Sequence, residues 1–352
     1  MIYKSKIYYL FSQFYLKILR GVIGVLLLFS MTASWAQTPD AVAILAQKIT
    51  ANLDDDSLKA TAIYAWVTRN IEYDHHFRKR VDGDTTLYQE PHIVIKTKKA
   101  VCIGYAKLVF ELCKAARVEA YIVEGWVKNQ QGKVEREEHA WNVVCINNNY
   151  YFMDATWGVE SDVTSFYCLT PPSQRDSHGT VFSENHLPHD PLWQLSTELI
   201  DFDCFINDEN CLNKKTPFAF KDSIKQWKSL DSLTRTYNSA TRILKFNPKD
   251  LHAIRDLAGY YSQKAFILFS KYNSIRQAVK EKKRKPNERQ SVLKLLDETQ
   301  NYIKAAQAQY DQLRTFGKKN RYTDAHLNLD IIEENLANLE AERQFVLAHF
   351  KD

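Results

Sequence analysis

Glycine and proline are scarce in this sequence, 10 and 9 of 352 residues, which argues against a loop-dominated or β-solenoid protein. No Cys-x-x-Cys pair occurs, which argues against a zinc ribbon or a thioredoxin-type redox site. Beyond the N-terminal segment, no apolar run approaches the roughly 20 residues needed to cross a bilayer. No nucleic-acid recognition motif is found either. What remains is globular composition, 45% hydrophobic and 25% charged, which excludes disorder or a collagen-like fibre. Nineteen Tyr, 18 Phe and 7 Trp are enough for a sizeable core. At roughly 150 residues per domain, the length suggests two domains. The net charge of +5 hides an asymmetry: residues 41–220 carry 18 basic and 25 acidic side chains, whereas 221–352 carry 25 and 16. An acidic module precedes a basic one.

The first 36 residues are expected to be a signal peptide. Lys4, Lys6, Lys17 and Arg20 form a long positive region, followed by an apolar run from Gly21 to Met31 and then Thr32-Ala33-Ser34-Trp35-Ala36. Ser34 and Ala36 supply the small residues a signal peptidase accepts, predicting cleavage before Gln37. No Cys lies near that point, which removes the lipoprotein option. The mature protein is thus expected to be exported, periplasmic or secreted, with no membrane span. Disulfides persist in such compartments. Cys204 and Cys211 bracket a polar turn and are the pair expected to be bridged, whereas Cys102, Cys113, Cys145 and Cys168 lie in apolar stretches that suit small core residues.

Periodicity predicts a helix through Ile44, Leu45, Ile49 and Leu53, a second over 58–71 and a third over 102–116. The period then shifts to strand over 120–128, 139–146 and 150–157. Residues 159–220 read as irregular. From about Ser223 the pattern is helical: one stripe ending at Asn247-Pro248, a second from Leu251, a third over 292–316 with Gly317 as C-cap, and a fourth over 327–350. Four helices with short connections suggest an antiparallel bundle or stacked hairpins.

Three residues carry chemistry. Cys102 begins a helix, where the macrodipole and unpaired N–H groups favour a thiolate. His139 begins one strand and Asp154 lies on its partner. Nucleophilic catalysis by Cys needs a base and a group to orient that base, and this order supplies all three. If Asn148-Asn149 is the hairpin turn, Asp154 falls opposite Val143 and His139 opposite Gly158, about 13 Å apart along the strand. A bulge or strong twist is then needed to close the gap. Trp126, Trp141 and Trp157 are candidates to line an acyl cleft, although aromatics on strands commonly serve the core.

Val101-Cys102-x-Gly104-Tyr105-Ala106, His139-Ala140-Trp141-Asn142 and Asp154-Ala155-Thr156-Trp157 resemble the three core motifs of the transglutaminase-like superfamily, in the branch of kyphoscoliosis peptidase and related cytokinesis proteins. Two flanking segments agree: Ala62-Ile63-Tyr64-Ala65-Trp66-Val67-x-x-Asn70-Ile71-x-Tyr73-Asp74, and Tyr167-Cys168-Leu169-Thr170-Pro171-Pro172 with His186-Leu187-Pro188-x-Asp190-Pro191-x-Trp193-Gln194-Leu195. The resemblance covers about residues 58–196. It implies an α+β, papain-like core in which a Cys-bearing helix packs on an antiparallel sheet. It also implies a triad of Cys102 as nucleophile, His139 as general base and then acid, and Asp154 as orienter. Attack on a glutamine side-chain or peptide carbonyl gives a thioester, which water or a lysine amine resolves. The backbone N–H of Cys102 is a candidate oxyanion donor, and the sequence identifies no side-chain donor.

The expected organisation is a signal peptide over 1–36, a transglutaminase-like domain over 37–200, a linker over 201–222 and an all-α helical domain over 223–352. No cofactor or metal is expected, because His75-His76, and His178 with His186 and His189, match no zinc spacing. The expected partners are a protein or peptide substrate and, through the helices and the basic segment 280–289, a second protein or an anionic envelope component. Nucleic acid is not expected. The reading is a cysteine peptidase, amidase or transglutaminase. Its rival is a non-catalytic peptide-binding adaptor on the same fold, and contact between the Cys102 sulfur and the His139 ring discriminates between them.

Overall fold

The computed structural model describes residues 41–77, 86–129, 131–135, 137–160, 164–175, 181–207, 216–281, 288–320 and 329–350. The expected signal peptide at 1–36, Cys211, His178 and the middle of the basic 280–289 segment lie outside the described residues.

The N-terminal half is α+β. Helices α1 (Ala41–Ile49) and α2 (Asp56–Asn70) lead to a short strand β1 (Glu72–Tyr73), then α3 (Pro91–Thr97), β2 (Lys99–Ala100) and α4 (Cys102–Ala115). Asp55 caps α2 by accepting from the Leu58 N–H at 3.0 Å. Strands β3 (Glu119–Val127), β4 (His139–Ile146) and β5 (Asn149–Met153) follow, then the short helices α5 (Ala155–Glu160) and α6 (Phe182–Asn185) and strand β6 (His186–Pro188). The sheet order is β5-β4-β3-β6, all antiparallel. Helix α4 packs on β3 and β4, so the Cys-bearing helix lies on an antiparallel sheet as expected. Its residues Tyr105, Leu108, Val109, Leu112 and Cys113 are all buried in the main core. Asn142 Nδ2 donates to the Ala106 carbonyl at 3.0 Å, tying the centre of β4 to α4. Gly125 allows β3 and β6 to approach, because a Cβ there would stand 2.1 Å from the Leu187 carbonyl oxygen.

Several expectations are corrected here. The hairpin turn is Asn147-Asn148, not Asn148-Asn149, since Ile146 pairs with Asn149 and both turn residues have positive φ. Strand β5 stops at Met153, so Asp154 follows the strand and the next residues are helical. The segment after 159 contains β6, the fourth strand of the sheet, which the sequence reading left irregular.

After β7 (Glu198–Leu199) and α7 (Phe202–Asn207), β8 (Thr216–Pro217) pairs back with β7. Helices α8 (Phe220–Ser229), α9 (Ser232–Phe246), α10 (Leu251–Lys280), α11 (Arg289–Asn320) and α12 (Leu329–His349) complete the chain. The first expected helical stripe is therefore two helices. The chain breaks at Leu230, and Asp231 caps α9 by accepting from the Thr234 N–H at 3.0 Å. Gly317 does not end α11, which runs on to Asn320.

Packing on the main core resumes in α8. Ile224 on α8 is fully buried in the main core, and Trp227 packs on Tyr121 and Trp193. Helices α9 to α12 each pack on the next in chain order. A small cluster of Ala240, Ile243, Ala253 and Leu257 joins α9 to α10, and a separate one around Tyr272, Leu296 and Val346 joins α10, α11 and α12. Among the described residues, no helix is long and apolar enough to cross a membrane.

Candidate active site

Cys102 is the first residue of α4, and its N-cap Val101 makes no side-chain capping bond. The opening N–H groups of the helix thus keep their partial positive charge beside the thiol. The buried side chain of Gln89 fixes this start, accepting from the Val101 N–H at 3.0 Å. A Cβ on Gly104 would lie 2.2 Å from Gln89 Oε1 and 2.8 Å from Ala100 Cβ, which explains why this position of the motif carries no side chain.

His139 opens β4 and is 7% exposed. Its Nε2 lies 2.7 Å from Asp154 Oδ2, and Cys102 is near enough to the ring to help raise its pKa. With Nε2 committed to the carboxylate, Nδ1 is the nitrogen left for the thiol. The structure therefore brings all three expected residues together. The one-residue shift of the turn closes the anticipated gap: with Asn142 opposite Met153, His139 and Asp154 stand diagonally across the end of the hairpin, and no bulge is required.

Asp154 is completely buried, and its two oxygens face four nitrogens at hydrogen-bond distance. Oδ1 takes the backbone N–H groups of Thr156 at 2.9 Å and Trp157 at 3.0 Å, which starts α5. Oδ2 takes His139 and, at 3.3 Å, Nε2 of His186. Burial opposes ionisation of Asp154, but the charge and hydrogen bond of His139, then those of His186, hold its carboxyl well below the usual range. Burial likewise opposes an imidazolium at residue 139. The Asp154 charge and hydrogen bond, followed by Cys102, outweigh it and raise His139 to about 10. His186 moves the other way, pushed down chiefly by burial against the pull of Asp154. A neutral His186 has one ring proton to serve either Asp154 or the Phe182 carbonyl, which lies 3.2 Å from its Nδ1.

Aromatic rings wall this group. The Trp157 ring is 5.6 Å from His139 and 4.3 Å from His186, Trp141 is 6.0 and 5.1 Å from them, and Phe182 stacks on His186 at 3.9 Å. Trp126 is not among them. It packs instead on His189 at 4.0 Å and Phe202 at 4.6 Å. Burial pushes the Cys113 thiol up to about 12 and Cys168 to about 11, and it raises Cys145 as well, so these three behave as core thiols. Cys204 is disulfide-bonded, and its expected partner Cys211 lies outside the described residues.

His186 and Gln89 were not expected at the site. The signal for His186 lay in the His186-Leu187-Pro188 segment, which reads as a strand only once β3 is there to pair with it. His186 and His189 feed different clusters. His186 joins His139 and Asp154, whereas His189 joins Glu138 and His252. His75 and His76 belong to no such cluster among the described residues.

Residues 43–155 match the family profile described as the transglutaminase-like superfamily. Kyphoscoliosis peptidase of Mus musculus is 29% identical over 196 residues, covering 53% of this chain and 29% of that protein. The Homo sapiens protein of the same name is 31% identical over 148 residues, covering 40% and 22%. A solved cysteine-protease candidate from Cytophaga hutchinsonii is 26% identical, covers 33% of this chain and 36% of its own, and has a TM-score of 0.27. The chain spans less than a third of the length of the curated relatives it matches. The stretch that carries Cys102, His139 and Asp154 is thus similar to the transglutaminase-like superfamily over residues 43–155.

Proposed function

We propose that this chain is an exported cysteine enzyme that acts on amide carbonyls of a peptide or protein. The observation that carries the reading is one imidazole: buried His139 is bonded to Asp154 at 2.7 Å and feels the thiol of Cys102, which opens a helix. In this reading Cys102 gives its proton to His139, and the sulfur attacks the carbonyl carbon. The resulting oxyanion accepts from the backbone N–H of Cys102. His139 then protonates the departing nitrogen, the C–N bond breaks and a thioester remains. Water deprotonated by His139 releases the acid, or a lysine amine forms a new amide. Asp154 keeps His139 in the orientation and tautomer this shuttle needs.

The name of the curated relatives, a peptidase, favours hydrolysis over cross-linking. Export rests on the charged and apolar pattern of residues 1–36, and a disulfide at Cys204 suits an oxidising compartment. The test is the pH dependence of iodoacetamide alkylation at Cys102, read by mass spectrometry in wild type and His139→Ala. Alkylation persisting well below the ordinary thiol value of about 8.5, with that reach lost in the variant, supports the pair. A Cys102 that titrates as an ordinary thiol in both proteins, or reacts only on unfolding, leaves the non-catalytic adaptor as the better reading.

A further inference from the structure

Next to the triad, but not part of it, three side chains from distant parts of the chain converge. Glu138 immediately precedes β4, His189 immediately follows β6, and His252 lies in the first turn of α10. Glu138 Oε2 is 2.8 Å from His252 Nε2 and 3.6 Å from His189 Nε2. All three donor atoms lie within 4.8 Å of one another. Bonds of about 2.0–2.1 Å to one ion in a tetrahedral site separate the ligand atoms by about 3.3 Å, so small shifts suffice to surround it.

His189 is prepared for this role. It is 5% exposed, its Nδ1 stands 2.6 Å from Asp250 Oδ2, and the Trp126 ring packs on it at 4.0 Å. In the neutral form that donates Nδ1–H to Asp250, the Nε2 lone pair faces Glu138 and His252, and ion binding releases any proton held there. That Nε2 is fully buried and makes no hydrogen bond among the described residues, so the fold sets a donor atom in place without giving it a hydrogen-bond partner. A carboxylate behind a histidine is also how metal-ligating imidazoles are commonly oriented. Two imidazole nitrogens and one carboxylate oxygen suit zinc and its neighbours rather than magnesium or calcium, which prefer oxygen alone. Glu138 and Asp250 together match the two charges of such an ion.

We infer that Glu138, His189 and His252 form a three-ligand site for a divalent ion of the zinc class. Asp250 orients His189, and the ion pins α10 to the strand that carries His139. Loading moves the His252 proton from Nε2 to Nδ1 and displaces the half-exposed Arg255 guanidinium, which lies 3.3 Å from Nδ1. A fourth position is left for water. The inference stands independently of whether the triad is active.

The experiment uses the full mature chain carrying Cys102→Ala, so that the thiol and His139 cannot together supply the ligands. After chelator treatment, Co2+ is titrated and followed by its visible d–d bands, and Zn2+ binding is measured by calorimetry. One ion per chain is expected, with a melting temperature raised by Zn2+. Adding His252→Gln should weaken binding at least tenfold and abolish the Zn2+-induced rise, while Asp250→Asn, which keeps the helix cap, should weaken it about 10- to 100-fold. Glu138→Gln serves as a second ligand variant if His252→Gln alters the zinc-free melting temperature. The inference is overturned if the Cys102→Ala protein binds no ion at one equivalent. It is equally overturned if folded His252→Gln and Glu138→Gln proteins bind as tightly as their parent.

Discussion

With two backbone N–H groups and His139 on one buried carboxylate, Asp154 is held as an anion, and this decides how the pair responds to pH. Its depressed value contributes stability that is present above the ordinary carboxylate range, about 4, and is lost as the pH falls through the folded value. The raised His139 contributes stability that is fully present below about 6.5 and is lost as the pH climbs towards about 10. Urea midpoints should therefore fall between pH 6.5 and 9.5. In Asp154→Asn the share of that fall due to His139 should vanish, because His139 loses its largest favourable partner, while the share due to His189, which burial lowers but Asp250 and Glu138 raise to about 9, should remain. The same variant should cut the rate of Cys102 alkylation at pH 6 at least tenfold, read by mass spectrometry. At this scale the positions of Cys102 at a helix start and of His139 beside Asp154 were legible, because each sits in a motif at the end of a predicted element. Gln89 and His186 were not, since each acts through a contact with a partner 12 or 32 residues away.

Three consecutive asparagines left the hairpin turn open by one residue, and a slip of one moves every cross-strand partner. The structure resolves it through backbone sign: Asn147 and Asn148 have φ of 49° and 62°, the pattern of a two-residue turn matched to strand twist. Asn148→Val should cost about 1–2 kcal/mol in urea denaturation, while Asn148→Gly should be neutral or slightly stabilising. Because the turn sets the diagonal between His139 and Asp154, the valine variant should also slow Cys102 alkylation. The helices teach a similar lesson. Their apolar stripes were readable over long stretches, but the stripe through Ile224, Trp227, Leu230 and Leu233 continues in phase across the break at Leu230, so only the Asp231 cap marks it. Gly317 failed as a stop signal because a single glycine in a long helix costs only about 1 kcal/mol relative to alanine.

The residues after β6 that looked like a family signature turn out to bind the two halves together. Asp190 receives both arms of Arg242 at 2.6 and 2.7 Å, and Gln194 exchanges two hydrogen bonds with the Ile200 backbone. Removing one partner of a largely buried bidentate pair costs about 3 kcal/mol. Arg242→Ala should therefore lower stability by about that amount in denaturant titration, and Arg242→Lys should recover only part of it. Sequence alone placed the helices but not this attachment, since Arg242, Asp250 and His252 look like ordinary polar positions until the fold brings them to the sheet. The outer part of α10 has a different status: beyond Ala265 it packs with α11 and α12 in a cluster that shares no residue with the main core. Small-angle scattering of the mature chain should accordingly give a radius of gyration above the roughly 20 Å of a compact protein of this length. At about 1.5 Å per residue, the 30 residues of α10 span about 45 Å. One end is fastened beside the cleft through His252, and the other, at Lys280, stands off like the tip of a boom. A load fixed at that tip would be held off the sheet at a distance set by the helical rise, so shortening α10 by whole turns would change that distance in steps of about 5.4 Å.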